Sequence, residues 1–188
     1  MTPTLDELNQ AFLRLLTPAP ALGTACETRD TASREGTSVA STPTPTPTLP
    51  PASLVSPCRI VESKAKGYHF DADLAPDQIV PAGRLLDERG FAIDAVTGVD
   101  WLAAGQMEIV YDFYHPLSVL HVVLRCRVPR EGAEVPTLSE VFPGANWHER
   151  ETHDFFGIRF TGHPDLSPFL LPEDADYHPL RKDFTGAA

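Results

Sequence analysis

Between residues 107 and 114 the chain alternates strictly. Met107, Ile109, Tyr111 and Phe113 fall on one side, and Glu108, Asp112 and Tyr114 on the other. The same period returns at 119–128, where Leu120, Val122, Leu124, Cys126 and Val128 oppose His121, Arg125 and Arg127. A third stretch, 91–97, sets Phe91, Ile93 and Ala95 on one face. A period of two marks strands with one buried face. HPLS at 115–118 joins the last two strands as a hairpin loop. A sheet of this kind needs a cover on its apolar side. The predicted fold is therefore α+β: a small, mostly antiparallel sheet packed by helices, with an extended C-terminal tail.

Helical signals surround the strands. Residues 4–16 space Leu5, Leu8, Phe12, Leu15 and Leu16 at helical intervals, with Thr4 and Glu7 forming a capping box. A helix this short is marginal alone and needs a surface to lie on. A second helix is expected within 77–89, closed by Gly90, with Pro81 in its first turn or kinking it. Residues 58–63 and 67–71 pair as a short hairpin around Gly67. Thr137–Glu140 reads as a capping box opening a short helix that stops at Pro143. Asn146–Glu149 reads as a second one, with Glu149 and Glu151 suiting the dipole of a helix at 147–156 that Gly157 ends. The predicted divisions are an amphipathic helix (1–16), a Thr/Pro-rich linker (17–57), a globular domain (58–160) and a partner-binding tail (161–188). The linker contains STPTPTPTLPP at 41–51, whose prolines remove donors and favour extension.

Composition narrows the function. Apolar residues make up 42% and charged residues 22%, and the formal net charge is −11. A polyanion such as nucleic acid is not an expected partner of such a chain. The cysteines, Cys26, Cys58 and Cys126, lie far apart with no CxxC pair. Neither an iron–sulfur cluster nor a structural zinc site is expected, and the count suits a reducing compartment. The most apolar run, near Val119–Leu124, is far below the ~20 residues of a membrane span. MTPTLDELNQ lacks the basic and apolar regions of a secretory signal. Any membrane contact is expected to be indirect.

Three C-terminal motifs remain. WHERETHD (147–154) resembles a metal helix, but His148 and His153 are five apart, roughly 140° around a helix, and do not share a face. Glu149/His153 and Arg150/Asp154 do share faces and suit ion pairing. GHPDL (162–166) is a tight turn in which His163 and Asp165 could form a dyad, without an indicated nucleophile. YHPLRKDF (177–184) carries Arg181 and Lys182 on a Pro-stiffened strap, and Arg181 could pair with a carboxylate. No dinucleotide fingerprint, P-loop or nucleophile elbow is present.

Taken together, ERETHDFFGIRFTGHPDL and HPLRKDF resemble the signature of the C subunit of NADH:quinone oxidoreductase (respiratory complex I). The matching residues are Glu149, Arg150, Glu151, Asp154, Phe156, Gly157, Ile158, Phe160, Gly162, His163, Pro164, Asp165 and Leu166. They continue with His178, Pro179, Leu180, Arg181, Lys182, Asp183 and Phe184. With TGVDW at 97–101, the similarity spans about 59–184. Ser167 and Pro168 stand where the family commonly has two arginines.

The resemblance implies a cofactor-free subunit of a proton-translocating complex, at the cytoplasmic face of the inner membrane. FMN and iron–sulfur clusters would lie in other subunits. The chain would scaffold the D-type quinone-site subunit and the iron–sulfur subunits for electron transfer to quinone, with no catalytic, cofactor or metal residues of its own. Its implied partner interface comprises Glu149, Arg150, Glu151, Asp154, Gly157, Gly162, His163, Pro164, Asp165, His178, Pro179, Leu180, Arg181, Lys182 and Asp183. The nearest rival is the equivalent subunit of an energy-converting [NiFe] hydrogenase or F420H2 dehydrogenase. The rival from another class is a stand-alone metal hydrolase using His148, His153, Asp154 and His163.

Overall fold

A computed structural model describes residues 2–17 and 57–186. The Thr/Pro-rich stretch expected as a linker lies almost wholly outside the described residues.

The fold is α+β, as the alternation predicts. Its five-stranded sheet comprises β1 (Cys58–Ile60), β2 (Phe70–Leu74), β3 (Ala92–Trp101), β4 (Gln106–His115) and β5 (Leu120–Pro129), in the order β1-β2-β5-β4-β3. Three of its pairings are antiparallel, and β2 runs parallel to β5. The β4–β5 hairpin pairs Met107 with Val128 and Phe113 with Val122, so both apolar rows share one face. Met107, Ile109, Tyr111, Val122, Leu124 and Cys126 are all fully enclosed there.

Helices cover that face. The N-terminal helix α1 (Leu5–Leu16) carries the Thr4–Glu7 box: Thr4 N–H donates to Glu7 Oε2 at 3.0 Å and Glu7 N–H to Thr4 Oγ1 at 3.4 Å. It seats Leu8 and Phe12 in the core, with the Phe12 ring 5.1 Å from Phe70. A single turn, α2 (Ser63–Lys66), lies between β1 and β2 and ends at Gly67 (φ +84°). Helix α3 (Pro76–Asp87) follows β2. The surface that α1 needs is within the chain itself, against β1 and α3.

Several boundaries differ from expectation. Helix α3 starts at Pro76, which suits a first helical position, so Pro81 falls in the second turn and leaves the Asp77 carbonyl without a helical donor. In β3 the register shifts between Ile93 and Ala95, so Ile93 faces Phe113 while Val96 faces Tyr111. Val96 is therefore buried in place of the expected Ala95, because a bulge adds one residue and reverses the alternation. Residues 137–144 form turns rather than a helix. Val141 and Phe142 donate to the Leu138 carbonyl, and the Thr137 hydroxyl accepts from Ser139 N–H two residues on instead of from a helical third position. A small parallel pair, β6 (Glu134–Pro136) with β7 (Arg159–Thr161), flanks the last helix, α4 (Ala145–Phe156). Strands of three residues leave too little alternation to be read.

Candidate functional site

Helix α4 carries the first half of the C-terminal motif, and its geometry decides what each residue does. It begins at Ala145 after Gly144, with no side-chain cap. Asn146 is therefore inside the helix, not before it, and Glu149 does not sit at a solvated end. Glu149 is fully enclosed: its Oε1 accepts from Leu138 N–H at 2.7 Å and its Oε2 from the Thr137 hydroxyl. Burial pushes its carboxyl up to about 7, against the pull of these two donors. Thr152, one turn on, donates to the Val96 carbonyl at 3.2 Å and ties α4 to β3.

The tail beyond β7 is a strap pinned at three places. The first is Asp154 on α4. Its Oδ2 accepts the backbone N–H groups of Phe169, Leu170 and Leu171 at 2.8, 2.7 and 3.3 Å. Burial raises the Asp154 carboxyl, but these three donors outweigh it and hold the group below the usual carboxylate range. The second place is the C-terminal end of α4, where the last carbonyls lack helical partners. The His178 ring meets the Asp154 carbonyl at 2.7 Å, Leu180 N–H donates to Phe155 at 3.2 Å, and Arg181 Nε donates to Phe156 at 2.7 Å. The Arg181 cation also lies at the negative end of the helix dipole.

The third place is β3. Asp100, turned inward by the bulge, takes a two-bond grip from Arg130 at 3.0 and 3.2 Å and the Lys182 backbone N–H at 2.9 Å. Arg130 also reaches Asp183. Burial would raise Asp100, but Arg130 and the Lys182 N–H more than offset it and lower the group. Tyr177 stacks on Phe184 at 5.6 Å across the loop so formed.

Gly157 makes this closure possible. It ends α4 at φ +72°, and a methyl group there would come within 2.6 Å of Arg181 Nη2 and collide with the His178 ring. Gly162 holds φ +82° at the start of the GHPDL turn. In that turn the His163 ring meets the Asn146 carbonyl at 3.3 Å and accepts from Asp165 N–H at 3.1 Å, and Asp165 accepts from Ser167 N–H at 2.9 Å. Arg150 lies over the rings of Trp147 and Phe169 and donates to the Ser167 carbonyl. Ser167 thus has a defined place in the turn, where the family pattern would have arginine.

Most of the motif residues therefore contact one another. Glu151, Gly162, Pro164, Asp165, Leu180, Lys182 and Asp183 remain exposed, and Pro179 is half-buried. The expected Glu149/His153 and Arg150/Asp154 ion pairs do not form. Those side chains turn instead to Thr137, the Ile158 carbonyl, Ser167 and the strap backbone. His153 Nδ1 lies 2.9 Å from the Ile158 carbonyl, and His163 lies in its own turn. Among the described residues, no group of three or more His, Cys, Asp or Glu is arranged to hold a metal ion. Sequence reasoning does not single out Asp100, Arg130 or Thr137 as members of this site. Their signal is faint: Asp100 lies in the TGVDW segment, and Arg130 and Thr137 stand alone in loops.

Residues 72–188 match the family described as the respiratory-chain NADH dehydrogenase 30 Kd subunit. The chain belongs to this family. It is 42% identical over 123 residues to the C subunit of NADH-quinone oxidoreductase from Roseiflexus castenholzii, covering 61% of this chain and 71% of that protein. It is 39% identical over 111 residues to the C/D subunit of NADH-quinone oxidoreductase from Serratia proteamaculans, covering 57% of this chain and 18% of that longer protein. Among solved structures it resembles a chain of the membrane-bound sulfane sulfur reductase, an archaeal respiratory membrane complex. The TM-score is 0.57 at 30% identity, covering 61% of this chain and 71% of that one.

Proposed function

We propose that this chain is a non-catalytic, peripheral-arm subunit of a proton-translocating NADH:quinone oxidoreductase. It holds the D-type quinone-site subunit and the neighbouring iron–sulfur subunits in register, while FMN and the clusters reside in those other subunits. The chain rests on the cytoplasmic face of the inner membrane through its partners. Among the described residues no helix is long and apolar enough to cross a membrane.

The observation that carries this reading is the strap. Its backbone is fixed by Asp154, by the end of α4 and by Asp100, yet it presents Phe169, beside Trp147, together with Leu170 and Leu180 to solvent. A pre-ordered surface loses little entropy on docking, and Trp and Arg are enriched among residues that dominate interfaces. Electron transfer depends on fixed distances between centres, and a braced surface of this kind sets them. The Serratia relative, whose name joins C and D in one chain, supports the choice of partner.

The test is purification of the tagged full chain from solubilised membranes, with identification of its companions. Recovery of a D-type subunit, iron–sulfur subunits and an NADH-binding flavoprotein is the expected result. Stoichiometric metal in a solitary chain would overturn it. The likeness to a sulfane sulfur reductase chain favours one second reading, the equivalent subunit of a related respiratory membrane complex. A D-type companion without the NADH-binding flavoprotein would select that reading.

A further inference from the structure

Glu149 is an unusual group to enclose. Among the described residues no arginine or lysine pairs with it: Arg150, its neighbour in sequence, is engaged with Ser167, Trp147 and Phe169. One hydroxyl group and one backbone N–H bond it instead, with one imidazole nearby. Thr137 Oγ1 bonds Oε2, and Thr137 in turn lies 2.7 Å from Ser139 Oγ while accepting Ser139 N–H at 3.0 Å. The His163 ring, its side chain fully enclosed, places Nε2 3.9 Å from the same Oε2. Because His163 Nδ1 accepts from Asp165 N–H, the ring is held in its neutral form with the proton on Nε2. From β4, the Tyr111 hydroxyl is buried with no partner among the described groups.

This arrangement satisfies two protonation states with the same heavy-atom positions. With Glu149 ionised, the Thr137 O–H donates to Oε2 and the Ser139 O–H donates to Thr137. With Glu149 protonated, its own O–H donates to Thr137 Oγ1, and the Thr137 O–H turns to Ser139 Oγ. The chain of hydroxyls reverses direction, and Thr137 Oγ1 keeps the Ser139 N–H in both states. Leu138 N–H bonds Oε1 in both. An enclosed carboxylate with no contacting cation favours the protonated state, because burial penalises the charge.

We propose that Glu149 is a buried proton-binding site whose occupancy sets how firmly the 137–139 turn and the Gly162–Leu166 turn are held to α4. Proton uptake removes an uncompensated charge from between the two turns, so both are held more firmly in the protonated state. Burial and the reversible hydroxyl chain keep the exchange within the neutral range, where the carboxyl stands at about 7.

The sign follows from linkage. The Glu149 carboxyl is raised by folding, so its contribution is fully present below the ordinary value of 4.5 and is lost as pH rises through about 7. His163 is shifted down, chiefly by burial, so its contribution has the opposite sign and is lost as pH falls. Arg150 and Asp165 also act on His163 electrostatically.

The test compares denaturant unfolding of the full chain from pH 5 to 8.5 with that of Glu149→Gln. The ratio of the wild-type to the variant folding constant should fall about tenfold per pH unit between pH 5 and 7 and level off above, which is the slope of one proton. Parallel profiles would overturn the proposal. Should Glu149→Gln not fold, infrared spectra of the wild-type chain decide. A protonated-carboxyl band present at pH 5.5, absent at pH 8.5 and displaced in Thr137→Val supports the site, and absence of such a band overturns it.

Discussion

Asp100 on β3 receives the backbone N–H of Lys182 at 2.9 Å, joining the sheet to the end of the strap across most of the domain. The same carboxylate neutralises Arg130, whose side chain is only 10% exposed. One acidic group thus serves as counter-ion within the body and as anchor for the tail.

Replacing it should therefore do two things. Asp100→Ala leaves a buried guanidinium with only Asp183 and the exposed Glu131 nearby, and should destabilise the chain by about 3 kcal/mol. It should also expose the bonds after Arg181 and Lys182 to trypsin before the body unfolds. Urea denaturation and timed proteolysis measure the two effects. Arg159→Ala, which breaks only the exposed pair with Glu134, should change stability by no more than about 0.5 kcal/mol.

Gly157 and Gly105 offer a matched comparison. Both hold positive φ, at +72° and +62°, but nothing lies within 4 Å of a side chain added at Gly105. Gly105→Ala should cost about 1 kcal/mol, the penalty of the left-handed conformation. Gly157→Ala should cost at least about 2 kcal/mol, because His178 and Arg181 must also leave the end of α4. Thermal melts of the two variants give the difference.

Acid should loosen the strap before it unfolds the sheet. Asp154 is held below the usual carboxylate range in the folded chain, so its contribution is present above 3.8 and is lost as pH falls through the lower folded value. Hydrogen exchange at Phe169, Leu170 and Leu171 should accelerate in that acidic window, after correction for intrinsic rates. Asp154→Asn should show the acceleration already at neutral pH. Unchanged protection in the variant would mean that Asp154 does not hold the strap.

The outward side chains separate assembly from folding. Trp147 is 56% exposed and Leu180 53% exposed. Trp147→Ala and Leu180→Asp should each alter the stability of the free chain by about 0.5 kcal/mol or less. Each should weaken recovery of companion proteins from membranes at least tenfold, if these groups dominate the interface. Recovery equal to wild type would place the docking surface elsewhere.

The strands at 107–114 and 119–128 are legible because each places four or five apolar groups on a single face, and long alternation admits one register. The Thr4–Glu7 box and the Gly157 stop are legible because capping depends on a few adjacent residues. Asp94 gives no warning of the bulge, since the preference for an extra residue is set by the partner strand. Thr137 misleads for a related reason: its hydroxyl has two possible uses, and the carboxylate that chooses between them lies on α4. The C-terminal motif discloses the family but not its geometry. Its residues hold one another, through pairings such as Asp154 with Leu170 that no local pattern encodes.

The bulge in β3 reaches further than its own strand. Because it adds one residue, every side chain after it points to the opposite side of the sheet from where an unbroken strand would send it. Removing Asp94 would leave Ala95 opposite Asp112 and Asp100 opposite Met107, whereas removing Thr97 while keeping the pairing of Val96 would turn Asp100 toward the outer face and leave Arg130 and Lys182 reaching for an empty position. The attachment of the chain's last segment thus hangs on the count of residues between the bulge and Asp100. A single deletion at Asp94 should therefore be tolerated, and a single deletion between Thr97 and Val99 should not.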